Sequence, residues 1–187
     1  GEYRGGADNA TTCLKCLAGS KNPTEGSGSC LPCIPGEYQN EEGQSSCKPC
    51  LANENSVNAS STKCDTCGIG EKSEEGSAKC TKCDAGEAGT GTNGVCEPCA
   101  VARFRPSKKD GKDTESSVCF ACEAGYYQDQ TGQASCLPCI PGEYQNDEGQ
   151  TSCKPCLANE KSENASSTKC DSCGIGEKSD KGSAKCS

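Results

Sequence analysis

Histidine, methionine and tryptophan are absent from these 187 residues, and Leu, Ile, Val and Phe together number only 16. Without histidine no Ser/His/Asp or Cys/His constellation can form, and no phosphate-binding loop is present. The glutamates are scattered along solvated loops, with no carboxylate pair set in a cleft. No enzyme and no cofactor are therefore expected. The shortage of aliphatics, taken alone, is a composition of disorder, because too little surface can be buried to offset chain entropy. No apolar run approaches the roughly 20 residues of a membrane span. A basic face is also missing: the formal net charge is −8, which speaks against nucleic acid as a partner and for a soluble, self-repelling surface. The chain shows no leader and no initiating Met, and it starts and stops inside a repeat, so it reads as a processed product or part of something longer.

Cysteine is what the chain has instead. There are 21, set as ten C-x-x-C pairs: Cys13/Cys16, Cys30/Cys33, Cys47/Cys50, Cys64/Cys67, Cys80/Cys83, Cys96/Cys99, Cys119/Cys122, Cys136/Cys139, Cys153/Cys156 and Cys170/Cys173, with Cys186 opening an eleventh. First cysteines follow one another at steps of 17, 17, 17, 16, 16, 23, 17, 17, 17 and 16 residues. This is the density of small secreted scaffolds in which cross-links replace a core. A disulfide closing a loop of about 15 residues is worth roughly 3 kcal/mol in the chain-entropy model. Disulfides need an oxidising compartment, which places the chain outside the cell. Two other uses of C-x-x-C fit less well. The 13-residue gap between most pairs falls short of zinc-ribbon spacing, and evenly spaced pairs do not divide into sites of four. Ten copies in helix-poor sequence are not a thioredoxin-like redox motif.

Alignment on the second cysteine of each pair exposes the repeat. Three residues on stands Gly or Asn in nine of ten loops, from Gly19 and Gly36 to Asn159 and Gly176, with Ala102 the one departure. Such residues tolerate a left-handed backbone, so a turn is expected after each pair. Glutamate follows in seven loops, and an aromatic comes next in four: Tyr38, Phe104, Tyr127 and Tyr144. These rings are expected to cover disulfides. A second glycine often sits four residues before the next cysteine, as at Gly26, Gly43, Gly76, Gly132, Gly149 and Gly182. Turn, extended piece, polar tip, extended piece, cysteine describes a small irregular β-hairpin. Proline between the cysteines, as in Cys30-Leu-Pro-Cys33, stiffens the junctions. The expected fold is small and disulfide-rich: β-hairpin repeats stacked into an elongated, solenoid-like rod, with little helix and no large hydrophobic core.

A longer period is superposed. Residues 30–81 recur as 136–187 with 44 of 52 positions identical. Residues 1–29 therefore end one super-repeat of 106 residues, 30–135 form a complete one of six C-x-x-C units, and 136–187 begin the next. Only three changes alter charge: Asn55 to Lys161, Val57 to Glu163 and Glu75 to Lys181. The 99–119 loop is the long one, carrying Lys108, Lys109, Asp110 and Lys112.

The odd cysteine count bears on connectivity. If each second cysteine bonds the next first cysteine, the pairs are Cys16–Cys30, Cys33–Cys47, Cys50–Cys64, Cys67–Cys80, Cys83–Cys96, Cys99–Cys119, Cys122–Cys136, Cys139–Cys153, Cys156–Cys170 and Cys173–Cys186. Cys13 is then left for a partner outside the chain, just before Gly1, since Gly1-Glu2-Tyr3 matches Gly36-Glu37-Tyr38. Interlocked pairings that skip to the next pair but one are the rival. Three N-x-[ST] sequons, at Asn9, Asn58 and Asn164, are acceptors for N-linked glycans in a secreted protein. Asn58 and Asn164 occupy the same place in the long period.

The unit Cys30-x-x-Cys33-Ile-Pro-Gly36-Glu-Tyr38, with Gly43 before Cys47-x-x-Cys50, resembles the ephrin-receptor-like cysteine-rich repeat. That family is related to the first module of tumour-necrosis-factor receptor ectodomains. Gly125/Tyr127/Gly132 and Gly142/Tyr144/Gly149 repeat the pattern. The resemblance implies an extracellular hairpin whose local disulfide spans the G-x-Y loop, hence Cys33–Cys47, Cys122–Cys136 and Cys139–Cys153. Long arrays of such repeats also look like surface and filament proteins of single-celled eukaryotes. Three functions follow as expectations. The first is a structural segment of a glycosylated extracellular filament or surface coat that associates with itself. The second is a receptor or adhesion ectodomain binding a protein ligand through the 99–119 loop or the Tyr126-Tyr127 face. The third is a protist surface antigen. No single loop carries an apolar patch large enough to be an evident hot spot.

Overall fold

The turn and cysteine spacing closes each repeat into a hairpin of minimal length. The computed structural model describes residues 1–4, 13–24, 27–109, 112–113 and 117–187. Among these there is no helix, and the strands are two or three residues long. Each of the eleven ladders among the described residues has only two strands. In ten of them the second strand includes the two residues between the cysteines of a pair: Glu37–Tyr38 lies against Lys48–Pro49 and Glu143–Tyr144 against Lys154–Pro155. Proline fits there because these two-stranded ladders are all edge, so the missing N–H breaks no central pairing. The eleventh ladder, Lys108–Lys109 with Lys112–Asp113, is nested inside the long loop.

Ten disulfides join the second cysteine of each pair to the first cysteine of the next: Cys16–Cys30, Cys33–Cys47, Cys50–Cys64, Cys67–Cys80, Cys83–Cys96, Cys99–Cys119, Cys122–Cys136, Cys139–Cys153, Cys156–Cys170 and Cys173–Cys186. Cys13 is unpaired and exposed. Packing divides the chain into two units, Gly1–Cys83 with Gly89–Cys96, and Asp84–Ala88 with Glu97–Ser187. Five disulfides lie in each.

Backbone hydrogen bonds stack the hairpins within each unit, and they recur from step to step. In the first unit the residue three after the second cysteine donates its N–H to the next repeat: Gly19 to the Gln39 carbonyl at 2.7 Å, Gly36 to Ser56 at 2.8 Å, Asn53 to Ser73 at 2.9 Å. In return the tip of the next hairpin donates to the preceding cysteine: Gly43 to the Cys16 carbonyl, Ser60 to Cys33, Gly76 to Cys50. The second unit repeats both sets, as in Gly142 to Ser162 and Gly182 to Cys156. At about 0.5–1.5 kcal/mol net for each bond, a handful per junction does the work that apolar packing does in larger folds.

The left-handed turn is required as well as tolerated. Gly36 has φ 90°, and a Cβ there would lie 2.1 Å from the Gly76 carbonyl oxygen, two hairpins further on. Ala102, which departs from the Gly/Asn pattern in residue type, does not depart in backbone: its φ is 63°. At the hairpin tip Ser60 and Ser166 replace the usual glycine and keep φ near 60°, at 59° and 58°.

In each unit the core is made of sulfur and hydrogen-bonded polar groups. Among the described residues nine second cysteines, from Cys16 to Cys156, are buried, and the other buried hydrophobic residue is Ala88. Between the cystines lie buried Asn22, Gln39, Ser56, Arg105, Gln128, Gln145 and Ser162. By contrast, each of the ten Leu and Ile side chains is at least 44 % exposed. Leu and Ile contribute nothing to the interior.

Candidate functional site

The buried polar residues share one place, six after the second cysteine of each repeat, which the sequence pattern did not single out. Their chemistry falls into two kinds. Glutamines close their own hairpin: Gln39 Nε2 donates to the Ser46 carbonyl at 2.8 Å, and its Oε1 accepts from the Glu41 N–H at 3.1 Å. Gln128 and Gln145 do the same with Ser135 and Gln130, and with Ser152 and Asp147. Shorter side chains reach back to the preceding repeat. Ser56 Oγ donates to the Glu37 carbonyl, Ser73 Oγ to Glu54, Ser162 Oγ to Glu143 and Ser179 Oγ to Glu160. Asn22 Nδ2 donates to the Glu2 carbonyl. In the repeat with the long loop the place is taken by Arg105, whose guanidinium donates to the carbonyls of Glu87 and Asp84. Burial lowers the pKa of Arg105 from its ordinary value, against the opposing pull of the Glu87 and Asp84 carboxylates. A signal for this position was present: nine of the ten residues there are polar.

The interior is thus engaged in closing hairpins and joining neighbouring repeats, and what is offered to partners lies outside. Asn58 and Asn164, two of the sequon asparagines, are exposed at the hairpin tips. Asn9 lies outside the described residues. The aliphatics occupy set places around the cysteine pairs. Leu17, Ile34, Leu51, Ile140 and Leu157 directly follow a buried cysteine, and Leu14, Leu31 and Leu137 follow an exposed or half-buried one. The exposed aliphatics thus sit at the junctions between loops. Four of them recur at the 106-residue offset, Leu31 with Leu137, Ile34 with Ile140, Leu51 with Leu157 and Ile69 with Ile175.

Two of the three charge-altering differences between the super-repeats meet in one ion pair. Lys161 Nζ and Glu163 Oε1 lie 2.7 Å apart on the surface. That hydrogen bond raises the pKa of Lys161 and lowers that of Glu163. The first copy has the uncharged pair Asn55 and Val57 at these places.

The 99–119 repeat differs from the rest in its aromatics. Phe104 and Phe120 face each other across the Arg103–Phe104/Phe120–Ala121 ladder, with ring centroids 6.1 Å apart. Tyr126–Tyr127 forms the first strand of the next hairpin, against Leu137–Pro138. Lys108, Lys109 and Lys112 belong to the nested ladder, and Asp110 lies outside the described residues. Among the described residues no group of three or more His, Cys, Asp or Glu is placed to hold a metal ion.

Comparison with known proteins agrees with this geometry. No curated protein matches the chain in sequence. The family model described as tyrosine-protein kinase ephrin type A/B receptor-like matches residues 22–67, 112–143 and 131–173. Those stretches include the G-x-Y loops closed by Cys33–Cys47, Cys122–Cys136 and Cys139–Cys153, and together they cover more than half of the chain. The hairpin, its local disulfide and the repeated match have one reading: the chain belongs to the ephrin-receptor-like family of cysteine-rich repeats.

Proposed function

We propose that this chain is a structural segment of a long, glycosylated extracellular filament or surface coat, stiffened by its disulfide ladder and associating with further copies of itself. The observation that carries this reading is the placement of the aliphatic side chains. A chain this poor in Leu and Ile keeps all ten on its surface, where burial of the exposed part of each by a partner would gain on the order of 1 kcal/mol. Eight of the ten form four pairs at a 106-residue offset in the sequence, which offers the same contact once per super-repeat, as a polymer requires. Cystine-closed hairpins favour an oxidising, extracellular setting, and the exposed sequon tips leave room for glycans at Asn58 and Asn164.

Electron microscopy of native, unreduced, glycosylated material tests this. Fibres with an axial period of one 106-residue super-repeat are expected. Isolated particles at every protein concentration would overturn it. A second reading, an ectodomain that binds a protein ligand, is favoured by one observation: the 99–119 repeat carries the cross-strand ring pair Phe104 and Phe120.

A further inference from the structure

Five hairpin tips, Gly43, Gly76, Gly132, Gly149 and Gly182, are glycines with φ between 65° and 78°. Each donates its N–H to the carbonyl of the buried cysteine one repeat back. Ser60 and Ser166 make the same bond, to Cys33 and Cys139 at 2.9 Å, with φ of 59° and 58°. Serine is held there against its preference, because a residue with a Cβ is disfavoured in the left-handed region. A Cβ at the five glycine tips would meet nothing nearer than 3.3 Å, so the obstacle at this place is conformational rather than one of space. Glycine would make the same bond without the strain. The hydroxyls do not explain the choice by their part in the fold. The neighbouring Ser61 and Ser167 Oγ donate to the Asn58 and Asn164 carbonyls at 2.7 Å, but among the described residues the Ser60 and Ser166 hydroxyls have no hydrogen-bond partner.

What sets these two tips apart is the residue two places earlier. It is an exposed asparagine in both, Asn58 and Asn164, whereas the glycine tips have Glu41, Glu74, Gln130, Asp147 and Asp180 there. Backbone strain that the fold does not need points to function. We propose that Ser60 and Ser166 stand in a glycine's place for their hydroxyls, each the recognition half of an N-glycan acceptor whose other half is Asn58 or Asn164, and that the sugar is transferred before the tip stacks. The inference rests on the glycosylated, extracellular reading. In the transfer the asparagine Nδ2 forms a bond to the anomeric carbon of a sugar carried on a lipid diphosphate. The bond from that carbon to the diphosphate oxygen breaks with its electron pair, and Nδ2 releases one proton to a base of the transferase. The serine hydroxyl is recognised and stays unmodified.

The order of events follows from how the tip is held. In the folded chain Ser60 is pinned on both sides: its N–H is bound to the Cys33 carbonyl, and its own carbonyl oxygen lies 2.2 Å from where a Cβ on Gly19 would be. Ser166 is pinned likewise between Cys139 and Gly125, at 2.3 Å. An enzyme that reads the asparagine and the hydroxyl two residues on has to enclose both, and the stacked tip does not leave its neighbours to enter a groove. The asparagine side chains stay exposed after stacking, so sugar already attached projects into water.

The test compares the full parent chain with Ser60→Gly and Ser60→Thr, and Asn164 serves as the internal control. Peptide mass spectrometry of chains secreted from eukaryotic cells is expected to find sugar on both asparagines of the parent. Ser60→Gly should lose it at Asn58 alone, and Ser60→Thr should keep both. Native-state hydrogen exchange on the same chains made without glycans reads the fold, at the amides of Gly36 and of position 60. Ser60→Gly should exchange no faster than the parent and up to about fivefold slower. Ser60→Thr, β-branched at a positive φ, should exchange faster. The glycan-free parent, folded or reduced, is then offered to an oligosaccharide transferase with its lipid diphosphate donor, and only the reduced chain is expected to accept sugar at Asn58. Faster exchange in Ser60→Gly would overturn the proposal, because the serine would then serve the fold. So would sugar on the Ser60 oxygen, or equal transfer to the folded chain. A parent bare at both asparagines would overturn it together with the glycosylated reading.

Discussion

Replacement of Gln39 by leucine separates two views of the interior. If the place six residues after the cysteine only needs filling, a leucine of similar bulk is neutral or stabilising. If the amide is needed for its hydrogen bonds, the variant loses two of them, Nε2 to the Ser46 carbonyl at 2.8 Å and the Glu41 N–H to Oε1 at 3.1 Å, at a side chain only 1 % exposed. Two net bonds are worth about 2 kcal/mol; Glu41 and Ser46 are near water, which recovers part of the loss, and stranded buried groups add to it. The expected cost is therefore about 1–3 kcal/mol, centred on a thirtyfold rise in the local opening constant. Because the disulfides remain closed and repeats open locally, the measurement is native-state hydrogen exchange at the Glu41, Gly43 and Cys50 amides. Gln145→Leu should behave alike in the second unit, where the same two bonds are present. A leucine variant whose amides exchange no faster than the parent's would refute the hydrogen-bonded core.

Gly36→Ala should cost more than about 3 kcal/mol, because strain at φ 90° adds to a 2.1 Å approach on a backbone oxygen that cannot step aside. Ala102→Gly, at φ 63°, should change thermal stability by less than about 1 kcal/mol, and a large loss there would argue against the turn reading. Titration of the unreduced chain with a thiol reagent should find one reactive group, Cys13, against 21 after reduction and unfolding. More than one before reduction would mean an incomplete ladder. The Glu163 carboxyl should titrate below the ordinary glutamate value of about 4.3 because of its bond to Lys161. Its stabilising contribution is then present above the unfolded-state pKa and fades as pH falls through the lowered one. Lys161→Asn should return it to the ordinary value, which carboxyl-detected NMR can follow.

The features that sequence revealed are those decided within one repeat. Gly36 after Cys33 and Gly43 before Cys47 state a turn and a tip in local terms, and cysteines 14 residues apart close a hairpin without help from elsewhere. What stayed hidden depends on neighbours. Gln39 and Ser56 look like ordinary loop residues until the next hairpin covers them, and Ser56 has its partner 19 residues back, at Glu37. Ser60 and Ser166 conceal a glycine-like conformation because stacking imposes it on serine. The aliphatics misdirect in the opposite sense: Leu51 and Ile34 suggest packing in the interior, but sulfur already fills it. Lys161 and Glu163, two separate differences in the alignment, become a single compensated pair only when the surface brings them together.

The local closure of every disulfide also sets how far the molecule can be drawn out under tension. When pulled, force passes across a cystine whose Cα atoms are 5.7 Å apart and then along the three residue steps of one C-x-x-C, so that even with every hydrogen bond broken each 17-residue repeat reaches about 17 Å. Without the cross-link the same segment would pay out to about 60 Å. Each hairpin loop is slack that carries no load, and a strand made of such repeats stops lengthening abruptly at under a third of its open contour until a disulfide is cut. A thiol reductant would release that slack in discrete lengths, one loop at a time.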